Sequence, residues 1–159
     1  MTWDEVCANR HLQELPFRIE TNRWGQIVMS PPPHNDHSFG QSSIYDLLKE
    51  KMRGGRVLQE TAIDTEDGTK AADATWMSDA FLQANKGRSS FQHAPEICVE
   101  VKSPSNTMGE LLEKKDLYLK AGAQEVWIRE QSGRMLFFDA AGPLERSALC
   151  PAFPQTVKA

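Results

Sequence analysis

Residues 96–129 read EICVEVKSPSNTMGELLEKKDLYLKAGAQEVWIR. Glu96 to Lys102 is a short, mainly apolar run that suits a strand, and Ser103-Pro104-Ser105-Asn106 must break it, because proline has no N–H to give a ladder. Met108 to Gly122 then carries Leu111, Leu112, Tyr118 and Leu119 at helical spacing, and Gly122 suits a helix C-cap. Glu125 to Arg129 is strand-like again. The helix between Lys102 and Trp127 therefore acts as a crossover within one sheet.

Working outward, Arg134 to Phe138 is a further strand, joined to the last by Gln131-Ser132-Gly133. Upstream, Arg56 to Ile63 and Lys70 to Met77 are strands around a turn, Asp64 to Gly68, rich in Asp and Gly. A polar loop is expected from Gln83 to His93. His37 to Met52 repeats Phe39, Ile44, Leu47, Leu48 and Met52 at helical spacing, and Gly54-Gly55 ends that helix. Ser30-Pro31-Pro32-Pro33 is a stiff connector; a PxxP ligand is the poorer reading inside a compact domain. Phe17 to Thr21 and Gln26 to Met29 flank a turn at Asn22 to Gly25, a hairpin signal. Thr2 caps a short helix expected to reach Leu15, where Pro16 interrupts it. The fold class is α/β, a mixed β-sheet flanked by helices with an N-terminal β-hairpin. One domain is expected over residues 1–159, with 1–16 as an N-terminal segment and 143–159 as an irregular tail.

The chain has 159 residues, of which 40% are hydrophobic and 25% charged, the balance of a soluble globular protein. A net charge of −4 removes the general basic footprint of a nucleic-acid binder. A local basic groove or a bound ion can still supply the positive charge. Cys7, Cys98 and Cys150 form no CxxC pair, so a thiolate zinc site is disfavoured and free thiols in a reducing compartment are expected. His34, His37 and His93 match no helix-borne zinc spacing. The polar, acidic start MTWDEVCANRHLQ resembles neither a signal peptide nor a membrane span, so a cytoplasmic protein without membrane contact is expected.

The chemistry concentrates where charges enter the strand at 96–102. Residues two apart on a strand share a face, so Glu100 and Lys102 are expected side by side, with Val99 and Val101 facing the core. The same pattern also suits the solvent face of an antiparallel sheet. Asp73 adds weight to a site, because it lies in a second strand-like run, KAADATW, with few other carboxylates nearby. Two carboxylates from neighbouring strands suit a hard ion such as Mg²⁺. Such an ion polarises a phosphodiester and acidifies its bound water, and a lysine beside it can orient that water or stabilise developing charge. Lys114, Lys115 and Lys120 give the crossover helix positive charge, for which a solvated face is the ordinary explanation. Lys115 is the one expected to lean toward a phosphate if the site meets DNA. Tyr118 and Trp127 read as packing aromatics.

Taken together, IETNRWGQIVMSPPP, the helix from His37 to Leu48, VLQETAIDTEDGTKAADATW, APEICVEVKSPSN and ELLEKKDLYLKAGAQEVWI resemble the Uma-type family of bacterial endonucleases. That family is a branch of the PD-(D/E)xK, restriction-endonuclease-like superfamily, and the likeness runs from about Phe17 to Phe138. The resemblance implies a restriction-endonuclease-like core, dependence on Mg²⁺ (or Mn²⁺) and cleavage of DNA, with RNA compatible with the same chemistry. It maps the family's acidic position to Asp73 and its ExK to Glu100 and Lys102; Asp73 and Glu100 are then expected to hold the ion, with the Val101 carbonyl as a further ligand, and Lys102 to assist the attacking water. It also raises Glu20 and His37, while Glu60, on the strand before Asp73, is an additional candidate. The sequence departs from the pattern at Ala72-Asp73, where the family has Pro-Asp, and at Val126-Trp127, where it has Tyr-Trp; Glu130 lies near the place of an Asp that often closes that strand. Cutting both strands of a duplex needs two centres, so a homodimer is expected. The alternative is a nuclease-like module that binds nucleic acid or a protein partner without cutting.

Overall fold

The computed structural model describes residues 1–158; Ala159, the last residue of the expected tail, lies outside them. The elements run α1 (Trp3–Ala8), α2 (Arg10–Gln13), β1 (Arg18–Thr21), β2 (Ile27–Ser30), α3 (Asn35–Lys51), β3 (Arg56–Thr65), β4 (Gly68–Met77), α4 (Asp79–Asn85), β5 (Ile97–Val101), α5 (Met108–Lys120), β6 (Glu125–Arg129), β7 (Met135–Asp139) and β8 (Gly142–Leu144). β1 and β2 form an antiparallel hairpin. The other six strands form one mixed sheet in the order β3-β4-β5-β6-β7-β8. Only β5 and β6 run parallel, with Ile97 opposite Glu125 and Val101 opposite Arg129, as the α5 crossover requires.

Helix ends follow local chemistry. Thr107 caps α5 and Glu110 returns the bond, a reciprocal capping box. Asn9 breaks the expected N-terminal helix in two: its extended backbone ends α1 while its side chain accepts from Leu12 N to start α2. Ser78 caps α4, a helix that occupies the start of the region expected as loop. β3 and β4 continue to Thr65 and from Gly68, so the turn between them is tighter than Asp64 to Gly68.

The sheet is covered on both faces. Ile44 and Leu48 of α3 pack on Ala74, Ile97, Val99, Val101, Trp127 and Phe137. On the opposite face, Tyr118 of α5 packs against Ile63, Ala72, Cys98 and Val126. All five β5 residues are therefore buried, on both sides of the strand. The reading of Glu100 as part of a solvent-facing surface is thereby set aside, since Glu100 is 1% exposed.

The segment after Gly142 opens with β8 and then has little regular structure, yet it is tied down. The buried Glu125 carboxylate accepts from Trp127 Nε1 (2.8 Å), Ser147 Oγ (2.6 Å), Ala148 N (2.9 Å) and Leu149 N (2.9 Å). Four donors satisfy a charge that burial would otherwise make costly. Cys150, Phe153 and Val157 complete the α3-side core. Among the described residues no helix is long and apolar enough to cross a membrane.

Candidate active site

The site lies where the sheet forks. β4 pairs with β5 only from Ala74↔Val99 to Trp76↔Ile97, and beyond Ala74 the two strands part. Backbone groups released at such a fork must find other partners. Asp73 takes one of them: its Oδ2 accepts from Val101 N at 2.6 Å. The N-terminal hairpin takes others. Glu20 Oε2 accepts from Ala71 N at 2.7 Å, Arg18 Nη2 donates to the Ala71 carbonyl, and Thr21 Oγ1 accepts from Thr69 N at 2.9 Å. Completing the sheet edge thus carries Arg18 and Glu20 to the same place as Asp73.

Four carboxylates, two cationic side chains and a histidine interlock there. Arg18 Nη1 donates to Asp73 Oδ1 at 2.9 Å, and its Nε lies 3.2 Å from Glu60 Oε2 without the alignment of a hydrogen bond. His37 Nε2 lies 3.2 Å from the same Asp73 oxygen, leaving His37 Nδ1 buried and unpartnered. On the α5 side, Lys114 Nζ is 2.7 Å from Glu20 Oε2 and 3.7 Å from Glu100 Oε1. Tyr118 donates its hydroxyl to Glu100 Oε1 at 2.6 Å. These groups border a cleft of about 800 Å³ whose walls include Arg18, Glu20, His37, Glu60, Glu100 and Lys114. Phe17, Val28 and Met29 of the hairpin give it an apolar rim.

Burial acts on the two central carboxylates in the same direction, but their neighbours separate them. Burial would raise Asp73; the Arg18 guanidinium, His37 and the Val101 N–H together hold it well below the usual carboxylate range. Burial pushes Glu100 up to about 8, because Lys114 and Arg18 only partly offset it and Asp73 and Glu20 add repulsion. Arg18 and Lys114 are held more firmly protonated than usual by the carboxylates around them, against the effect of their own burial.

Glu100, Glu20, Glu60 and His37 line this cleft, and Asp73 lies buried behind its wall, against Arg18 and His37. Lys102 sits one residue past β5, and its ammonium donates to the Ser103 carbonyl at 2.6 Å. It makes no ion pair with Asp73 or Glu100 among the described residues, because the chain turns at Ser103 and carries the amine with it. The Val101 carbonyl accepts weakly from Asn106 Nδ2 at 3.4 Å. Lys115 pairs with Asp116 at 3.0 Å and covers the Phe138 ring at 4.8 Å, outside the cleft lining. The lysine that enters the carboxylate cluster is its neighbour Lys114.

Arg18, Gln41 and Tyr118 join the site without having been singled out for it by the sequence. Two of them had a local signal: Arg18 is two residues from Glu20 on a strand, and Tyr118 is four from Lys114 on a helix. Gln41 of α3 had none, because its contacts are to strands far along the chain.

The donor set fits a hard divalent ion in its chemistry, being oxygen-rich and acidic around a cleft that must attract cations. As folded, Arg18 and Lys114 neutralise those oxygens, and no group of three or more His, Cys, Asp or Glu side chains is arranged to hold a metal among the described residues.

A mixed sheet clothed by helices on both faces, with carboxylates gathered where two central strands part, is a restriction-endonuclease-like α/β fold. Residues 9–148 match the family model Uma2, described as "Putative restriction endonuclease", and the chain belongs to that family. A crystal structure from Anabaena variabilis ATCC 29413, described as "a putative nuclease belonging to DUF820", has a similar fold. It superposes with a TM-score of 0.71 at 20% sequence identity, over 87% of this chain and 79% of that one. No curated protein matches the sequence significantly.

Proposed function

We propose that the chain is a Mg²⁺-dependent DNA endonuclease, acting at the fork between β4 and β5. Family membership supports the reaction class. The observation that carries the reading is the gathering of Glu100, Glu20 and Glu60 on one cleft with Asp73 directly behind it, three of the four buried and each held by a cationic or hydrogen-bonding partner.

Asp73 and Glu100 would hold the ion, with the Val101 carbonyl beside them and Glu20 and Glu60 in support; Mn²⁺ suits the same oxygen donors. When bound, the ion supplies Lewis acidity at the scissile phosphate and a more acidic water. In the reaction, water adds to phosphorus and gives up one proton, the bond to the leaving sugar oxygen breaks, and that oxygen takes up a proton in turn. Asp73, kept ionised, offers a fixed negative charge. Lys102 is assigned to the attacking water, which requires its amine to leave the Ser103 carbonyl. Lys114 and Arg18, which already face the cleft and pair with its carboxylates, suit the phosphate charge. Two centres are needed for a double-strand cut, so the active form is proposed to be a homodimer.

One observation favours a second reading. The carboxylates are already neutralised by Arg18 and Lys114, an arrangement that also suits a nuclease-like module that binds nucleic acid or a protein without cutting. Titration calorimetry with Mg²⁺ and Mn²⁺ on the native chain and on Asp73→Asn separates the two. The nuclease reading expects ion binding that the substitution abolishes; a folded native chain that binds neither ion at millimolar concentration would leave the non-cutting module.

A further inference from the structure

The β3–β4 ladder is regular from Arg56↔Met77 to Thr65↔Gly68 except at one place. Gln59 pairs with Ala74 and Thr61 with Ala72, so Glu60 stands opposite Asp73, and that pair alone is missing. The gap has a backbone cause. Glu60 has φ 51°, and it is the one non-glycine residue with positive φ among the described residues. A side chain with a Cβ resists that conformation, so a glutamate there is held by its surroundings rather than by its own preference.

Beside Arg18, those surroundings are the side chain of Gln41. Its Nε2 donates to the Asp73 carbonyl at 2.8 Å and to Glu60 Oε1 at 2.8 Å. Both amide hydrogens are thereby used, one on the backbone of the central carboxylate residue and one on a neighbouring carboxylate. Gln41 is buried on α3, so this clamp comes from a packed element rather than from a mobile loop. The alternation of β4 also slips here. Ala72 packs on the α5 side and Ala74 on the α3 side, although residues two apart on a strand ordinarily share a face. An uninterrupted ladder would point Asp73 and Glu60 along the regular pleat. The interrupted one lets Asp73 reach Val101 N and Arg18 while Glu60 faces Arg18 from the other strand.

We propose that Gln41 is the positioning residue of this site, holding Asp73 and Glu60 in one arrangement across the broken β3–β4 ladder. The inference rests on the reading of the cleft as an ion-binding nuclease site, and it adds a residue that acts through Asp73 rather than on the substrate. A mere buried-polar role for Gln41 would require only that the Asp73 carbonyl be satisfied; the second bond, to the Glu60 carboxylate, is what a positioning role requires.

The test is Mn²⁺ titration calorimetry on the full chain, native, Gln41→Met and Gln41→Asn, with thermal denaturation of each in EDTA. Methionine keeps the length and removes both donors; asparagine keeps the amide but is too short to reach both oxygens. Both variants are expected to weaken Mn²⁺ binding by about tenfold or more at temperatures where they remain folded, the usual scale for groups that orient ligands. Lower melting temperatures with unchanged Mn²⁺ affinity would overturn the proposal and leave Gln41 a structural residue. Should Gln41→Met fail to fold, the Mn²⁺ affinity of Gln41→Asn decides alone. A native chain that binds no Mn²⁺ would instead overturn the ion-binding reading, and the positioning role with it.

Discussion

The Arg18 guanidinium of the N-terminal hairpin lies 2.9 Å from the carboxylate of Asp73, which itself fills the fork between two central strands. The hairpin is therefore part of the site. It satisfies the open edge of β4 through Glu20 and Thr21, and in doing so it delivers a cation to a carboxylate that is 1% exposed.

Removing that cation leaves a buried charge with only His37 and a backbone N–H to answer it. Arg18→Met is expected to lower the stability of the metal-free protein by about 3 kcal/mol, the scale for breaking one side of a buried pair. Urea unfolding in EDTA measures the loss. Repeating it with Mn²⁺ should show a larger stabilisation by the ion in the variant than in the native chain, because a cation that binds the folded state then replaces the missing one.

Glu60 carries its own test. At a left-handed position the usual advantage of alanine over glycine reverses. Glu60→Gly and Glu60→Ala lose the same carboxylate and differ only in backbone freedom. The glycine variant is expected to be more stable by about 1 kcal/mol, from the cost of a Cβ in this conformation. Equal stabilities, or a more stable alanine variant, would show that Glu60 is not held against its preference.

The raised Glu100 makes metal-free stability depend on pH. Its folded value of about 8 lies above the ordinary 4.5, so the native state binds the proton more tightly than the unfolded chain. That contribution is fully present below 4.5 and is lost as pH rises toward 8. Asp73 acts oppositely, its stabilisation being present above the usual carboxylate range and lost in acid. Melting temperatures in EDTA from about pH 5 to 9 should therefore fall relative to Glu100→Gln as pH rises, since the glutamine cannot ionise. Parallel curves for the two proteins would contradict a buried, proton-holding Glu100.

What the sequence disclosed and what it withheld divide along contact range. Glu100 stood out as a charge inside a short apolar strand, a pattern that also suited a solvent face, and it was Asp73 and the family resemblance that pointed to a site. The α5 crossover was legible because proline, helical spacing and glycine mark its ends within a few residues. Glu20 and His37 came from family resemblance, and the structure places both on the cleft. Lys102 was read from its place two residues after Glu100 and from the family's ExK, and Lys115 from the charge of the crossover helix; in the fold Lys102 donates to the Ser103 carbonyl and Lys115 settles on Phe138, while Lys114 faces the carboxylates. Arg18 shares a strand face with Glu20, but its place at Asp73, like that of Gln41, depends on where β4 leaves β5 and where Glu60 breaks its ladder, and neither event has a short-range signature. The Glu125 anchor is likewise invisible from sequence, because its partners Ser147, Ala148 and Leu149 lie in a segment without periodicity.

The central claim is hydrolysis of DNA at the fork, and nicking of supercoiled plasmid at millimolar Mg²⁺ tests it most directly, with native chain and Asp73→Asn side by side. Nicking by the native chain that EDTA and the substitution each abolish is the predicted result. Nicking that survives in a folded Asp73→Asn protein, or its absence from a folded native chain supplied with Mg²⁺ or Mn²⁺, would contradict it.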